Sequence, residues 1–125
     1  MQFILRAFIN SEQFEAFARA AGRGRAALAS GLCDSCKPFF GAALAGRFGQ
    51  KPVFVVSDEG RAAEVSAALY ALFGREPVLL AGRDFIFRNI ENVSRQQEER
   101  RLASLIRLLN GDFCAAVLTA DTLVQ

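Results

Sequence analysis

The sequence predicts an α/β fold in which a parallel sheet of about four strands is covered by helices on both faces. Short apolar runs rich in valine, leucine and phenylalanine recur along the chain, and amphipathic helical segments separate them. Strands that alternate with helices favour repeated βαβ units, which build a parallel sheet. The chain has 125 residues, of which 52% are hydrophobic. It is therefore long and apolar enough to form one compact domain over residues 1–125.

Two helices are predicted in the first part of the chain. Ser11 is a suitable N-cap for apolar positions at helical spacing, and Gly22 and Gly24 end that segment. A second helix begins near Pro38, because the first turn of a helix tolerates a residue without an N–H. Residues 1–10 show only a brief apolar patch without a cleavage site, so we expect no signal peptide.

Later helices carry capping signals of their own. Ser57 or Asp58 caps a helix that Gly74 ends. Ser94 and Gln97 form a capping box, which predicts a helix that runs to the stop at residues 110–111. A last helix begins within residues 120–125. Because the chain ends in its first turns, we expect a fragment of a larger multidomain protein.

Four apolar segments are predicted as strands, namely residues 26–31, 52–56, 77–81 and 113–119. The second of them consists of β-branched and aromatic residues that follow one proline, which is typical of a strand buried on both faces. Residues 82–93 show no clean period and are interpreted as a long connection. Such connections often carry function, so Arg83 and Arg88 are candidates for contacting DNA or a protein partner.

Composition excludes several classes of function. The chain has no histidine, which removes the commonest general base and metal ligand. A net charge of +2 is too small and too dispersed to indicate a nucleic-acid surface. No apolar run approaches the ~20 residues that span a bilayer. Three cysteines cannot all pair within one chain, so we expect reduced thiols. Because the chain also has no histidine to complete a ligand set, we expect no structural metal. With neither a signal peptide nor a spanning segment, we expect a cytoplasmic protein.

The loop from residue 31 to residue 38 resembles a damaged phosphate-binding loop. Gly31 and Lys37 stand at the separation of the first glycine and the lysine in GxxxxGK[ST]. Cys36 replaces the second glycine, and Pro38 replaces the hydroxyl residue that would hold magnesium. We therefore expect a P-loop-like sheet with a degenerate nucleotide loop and no ATP hydrolysis. A loop that merely joins strand to helix also fits these residues well.

The same loop contains a Cys-x-x-Cys pair at the start of a helix. Cys33 would be the nucleophile and Cys36 the resolving thiol of a small thiol-disulfide oxidoreductase. The thioredoxin fold, however, needs an antiparallel strand pair, and no hairpin signal is present. The alternative is a pair of incidental thiols.

Four segments together resemble the N-terminus of the bacterial transcription-repair coupling factors (the Mfd family), with a match from about residue 11 onward. They are Ser30-Gly-Leu-Cys-Asp-Ser-Cys-Lys37, Pro52-Val-Phe-Val-Val-Ser57, Ser94-Arg-Gln-Gln-Glu-Glu-Arg-Arg-Leu102 with its continuation to Leu109, and Ala116-Val-Leu-Thr-Ala-Asp-Thr-Leu-Val-Gln125. In that family the N-terminal module is similar to the excision-repair protein UvrB and has lost a working nucleotide loop.

The resemblance implies a non-catalytic part of an ATP-dependent DNA translocase. Such proteins release RNA polymerase stalled at DNA lesions and recruit UvrA and the nucleotide excision repair machinery. The motor that uses ATP and magnesium lies downstream in the family, and most UvrA contacts belong to the following domain. We therefore expect no enzymatic activity and no cofactor within residues 1–125.

Overall fold

The computed structural model of the protein describes residues 2–80 and 91–124. Helices and strands alternate over most of this length, which confirms the α/β class. The elements are α1 (Gln2–Ile9), α2 (Glu12–Gly22), α3 (Lys37–Arg47), β1 (Val53–Val56), α4 (Glu59–Phe73), β2 (Val78–Leu80), α5 (Glu91–Leu109), β3 (Ala116–Thr119) and α6 (Ala120–Val124).

The three strands form one parallel sheet in the order β1-β3-β2. The last strand in the chain is therefore the central one. Val117 of β3 lies opposite Phe54 of β1 on one side and Leu79 of β2 on the other. Parallel strands require long crossover connections. The connection that contains α4 leads from β1 to β2, which lie at opposite edges of the sheet.

Helices cover both faces of the sheet, as the sequence predicted. Successive residues of a strand point to opposite faces, and β3 divides in this way between two apolar clusters. Val117 packs with the α4 residues Val65 and Leu69 on one face. Ala116 packs on the other face with β2, and Leu108 of α5 lies against that cluster. The cluster around Val65 and Leu69 also includes Ala42 of α3, so it holds that helix against the same face of the sheet.

The predicted strand at residues 26–31 is wrong, and the described residues contain three strands rather than four. Residues 23–31 are exposed and have no strand pairing. Three of these residues are alanines, and Leu28 is 92% exposed. Alanine offers too little apolar area to offset the conformational entropy of ordering a strand.

The prediction that residues 52–56 are buried on both faces is also wrong. Val53 and Val55 are 56% and 51% exposed, because β1 is an edge strand and α5 packs against β2 instead. The other two strands are shorter than predicted. β2 begins at Val78 and β3 begins only at Ala116, while Ala81 lies outside the described residues. Leu79 of β2 is 42% exposed, so this strand is not buried on both faces either.

Helix ends follow the predicted capping residues closely. Ser11 Oγ accepts a hydrogen bond from the Phe14 N–H at 3.1 Å and caps α2. Asp58 caps α4, and Gly74 ends it in the left-handed region at φ +67°. That conformation is costly for any residue with a Cβ. The short final helix α6 also forms where it was predicted.

Two helix starts differ from the predictions. In the described residues α5 already includes Glu91, so the predicted Ser94 capping box lies within the helix rather than at its start. α1 was not predicted at all.

The ring of Phe40 in α3 holds the first two helices in place. It makes edge-on contacts with Phe8, Phe14 and Phe17, at centroid distances of 5.8, 5.6 and 5.2 Å. These aromatic contacts fix α1 and α2 against α3, whose N-terminus carries the candidate site.

Candidate functional site

The predicted nucleotide loop lies at the N-terminus of α3. Gly31 has φ +82°, a backbone conformation that favours glycine. A turn over residues 34–36 leads into the helix, and Cys36 is the N-cap residue but makes no side-chain capping bond. Pro38 lies in the first helical turn and is buried. Cys36, Lys37 and Pro38 thus lie at the start of α3, and Gly31 lies in the exposed segment that precedes the turn.

Lys37 is held by its own loop. Its Nζ donates to Asp34 Oδ1 at 2.6 Å. The hydrogen bond from Lys37, followed by its positive charge and that of Arg61, lowers the pKa of the Asp34 carboxyl. The cation that would meet phosphates in a working loop is thus paired with a neighbouring carboxylate.

Arg61 ties the loop to the start of α4. Its Nη2 donates to the backbone carbonyl of Asp34 at 2.8 Å and lies 3.7 Å from the Asp34 carboxylate. Its Nη1 donates to Glu64 Oε2 at 2.7 Å. Sequence reasoning missed Arg61, although its position three residues after the Asp58 cap placed it in the first turn of α4.

The Asp58 carboxylate organises the start of α4. It accepts from the Arg61 N–H at 2.8 Å and from the Ser57 hydroxyl at 2.8 Å. The Arg61 backbone bond, followed by the Ser57 bond, lowers the pKa of Asp58. The side chain of Arg61 contacts Asp34 while its backbone N–H binds Asp58, so the loop and the α4 cap share one residue.

The Cys33 and Cys36 thiols lie together at the exposed surface of the turn. The Cys36 N–H donates to the Cys33 carbonyl at 3.0 Å, and Cys33 Sγ is 3.4 Å from Ser35 Oγ. Hydrogen bonds from the Cys36 thiol and from Ser35 lower the pKa of Cys33. The pKa of Cys36 is raised, first by its hydrogen bond to Cys33 and then by burial.

The third cysteine has a different environment. Cys114 is half-buried before β3, and its Sγ donates to the Arg75 carbonyl at 3.8 Å. All three cysteines are free thiols. The described residues contain no group of three or more histidine, cysteine, aspartate or glutamate side chains that would hold a metal ion.

The two arginine candidates for contacting DNA or a partner lie outside the described part of the chain. Arg83 and Arg88 fall in the segment 81–90, outside the described residues. On α5, Arg95 and Arg100 are exposed, and Arg107 Nε donates to the Asp112 carbonyl at 3.2 Å. No helix among the described residues is both long enough and apolar enough to span a membrane.

Comparison with known proteins adds no assignment. No family model, curated protein or solved structure matches this chain. The proposal for function therefore depends on the resemblance described under Sequence analysis and on the geometry of the residues.

Proposed function

We propose that this chain is the N-terminal, UvrB-like module of a transcription-repair coupling factor and acts there as a non-catalytic scaffold. The parent protein is an ATP-dependent DNA translocase that releases RNA polymerase stalled at DNA lesions in the cytoplasm. It then recruits UvrA and the excision repair machinery. The module is a P-loop NTPase-like sheet whose nucleotide loop has degenerated.

The resemblance of four sequence segments to that family carries this proposal, and the Lys37–Asp34 ion pair supports its non-catalytic part. A working phosphate loop presents backbone N–H groups and a free lysine to the β- and γ-phosphates. Here the lysine is paired within the loop at 2.6 Å, and a buried Pro38 occupies the position of the magnesium-binding hydroxyl. Both features favour a loop that does not bind nucleotide, and the lack of a strand at residues 26–31 is a further departure from the strand–loop–helix pattern of a working P-loop.

Exposed apolar surface supports a scaffold that packs against neighbouring domains. Val53 and Val55 lie on the face of β1 that no described helix covers, and Ile106 of α5 is 49% exposed. A separate groove of about 380 Å³ between α1, α3 and α4 is lined almost entirely by apolar side chains, among them Ile9 and Phe73. Apolar patches of this kind are typical of surfaces that meet another protein unit.

Other partners and cofactors belong to the parent protein under this proposal. ATP and magnesium bind to its downstream motor, and UvrA docks mainly on the domain that follows. Arg83 and Arg88 stay candidates for DNA or partner contact. Salt-dependent binding of a labelled duplex to the isolated chain tests that contact, because phosphate contacts weaken as salt rises.

The first experiment reads the gene past codon 125 and expresses the complete reading frame. We expect an intact GxxxxGK[ST] motif downstream. RNA polymerase is stalled on a labelled duplex by withholding one nucleotide, and we expect the complete protein to release it in an ATP-dependent manner. Lys37→Ala should leave release unchanged, whereas alanine at the lysine of the downstream motif should abolish it. The reading is wrong if the frame encodes no such motif, or if Lys37→Ala abolishes release while the protein stays folded.

A second candidate function is a thiol-disulfide oxidoreductase that uses Cys33 and Cys36. The adjacent thiols and the lowered pKa of Cys33 favour it. All the described strands are parallel, whereas the thioredoxin fold includes an antiparallel pair. Multiple turnover of a disulfide substrate that Cys33→Ser abolishes would support this candidate, and the scaffold proposal predicts no turnover.

A further inference from the structure

A backbone turn brings Cys33 and Cys36 close together just before α3. The hydrogen bond from the Cys36 N–H to the Cys33 carbonyl closes a four-residue turn, in which the first and last Cα atoms lie within ~7 Å. A disulfide joins Cα atoms ~4.4–6.8 Å apart. The turn therefore brings the pair into bonding range.

The surroundings give the two thiols different roles. Cys33 is exposed and accepts hydrogen bonds from Cys36 and Ser35, while Cys36 is half-buried at the helix start. The N-terminus of an α-helix also favours a thiolate. Cys33 is thus the accessible nucleophile, and Cys36 keeps its proton as long as it donates to Cys33.

We propose that Cys33 and Cys36 are a stoichiometric modification site that reacts with low-molecular-weight disulfides to form a reversible intrachain disulfide. The Cys33 thiolate attacks one sulfur of the small disulfide, the S–S bond breaks, and one thiolate leaves and takes a proton from water. Cys36 then loses its proton, attacks the Cys33 sulfur, and releases the second small thiol. The two protein thiols are oxidised, and the small disulfide is reduced to two thiols.

The second step follows from the causes that raise the pKa of Cys36. Its hydrogen bond to Cys33 and the negative charge of Cys33 both favour the protonated Cys36 thiol. Formation of the mixed disulfide removes that charge and weakens the acceptor. Cys36 consequently deprotonates more easily at the moment when it has a sulfur to attack.

The test uses the complete 125-residue chain and oxidised glutathione, with remaining thiols blocked by iodoacetamide and peptides identified by mass spectrometry. We expect the wild type to close Cys33 to Cys36 and to retain no glutathione on either residue. Cys36→Ser should trap one glutathione on Cys33. Cys114 provides the internal control, and Cys33 should react at least about tenfold faster than Cys114 at neutral pH.

Three results would overturn the proposal: retention of glutathione on Cys33 in the wild type, no adduct on Cys33 in Cys36→Ser, or equal rates for Cys33 and Cys114. Urea unfolding of each variant verifies that the substitutions in this exposed turn leave the fold intact. Cys114→Ser is the matched control and should close the disulfide at the wild-type rate. Because the experiment involves no nucleotide, DNA or polymerase, its failure would not affect the scaffold proposal. Failure of the polymerase-release experiment would likewise not affect the disulfide proposal.

Discussion

Gly41 of α3 lies against the ring of Phe54 in β1, and this contact sets how closely the helix approaches the sheet. A Cβ at residue 41 would lie 2.6 Å from Phe54 Cε1 and 2.8 Å from Cζ, where ordinary contact begins at 3.4 Å. The half-buried ring must therefore move when Gly41→Ala is introduced. Overpacking of this kind costs about 1–3 kcal/mol of unfolding free energy.

Gly46 in the same helix is the matched control. A Cβ there meets nothing within 4 Å, so Gly46→Ala should stabilise the protein by a few tenths to about 1 kcal/mol through better helix propensity. Gly41→Ala gains a similar propensity term. The difference in unfolding free energy between the two variants therefore isolates the steric cost, and we expect about 1–3 kcal/mol in favour of Gly46→Ala.

Urea unfolding followed by far-ultraviolet circular dichroism measures this difference. A Phe54→Leu substitution should reduce it, because a smaller side chain leaves room for the new methyl group. If Gly41→Ala proves as stable as Gly46→Ala, then α3 does not pack on β1 as described. The position of the Lys37 loop relative to the sheet would then need to be reconsidered.

Two further predictions concern titration. The pKa of Asp58 is lowered by its bonds to the Arg61 N–H and Ser57. Its contribution to stability is therefore present above the unfolded-state pKa and is lost as the pH falls through the folded-state pKa. Asp58→Asn should flatten the acid limb of a curve of unfolding free energy against pH, and an unchanged limb would contradict this. Iodoacetamide should modify Cys33 with an apparent pKa below the usual thiol range, and Ser35→Ala should raise that value. The side chains that interact with this thiol are those of Cys36 and Ser35, and an apparent pKa in the usual thiol range would exclude the proposed activation.

The candidate site was predicted only in part. Gly31, Cys36 and Lys37 were identified from their spacing, because motif positions a few residues apart are fixed by the local backbone. The pairing of Lys37 with Asp34 is also local and follows an i,i+3 spacing. The Arg61 contact with the Asp34 carbonyl joins residues 27 positions apart, and only the packing of α3 beside α4 creates it.

The sequence by itself determined the ends of α2 and α4, because Ser11, Asp58 and Gly74 act on backbone groups within about one turn of their own position. It also determined which apolar runs have enough β-branched side chains to form strands. Tertiary structure alone decided that β3, the last strand in the chain, lies between β1 and β2. It also decided that Val53 and Val55 are more than half exposed, because β1 is an edge strand. Strand pairing joins residues as distant as Phe54 and Val117. Which strands pair depends on how much apolar area each possible arrangement buries. A local sequence pattern does not contain that information.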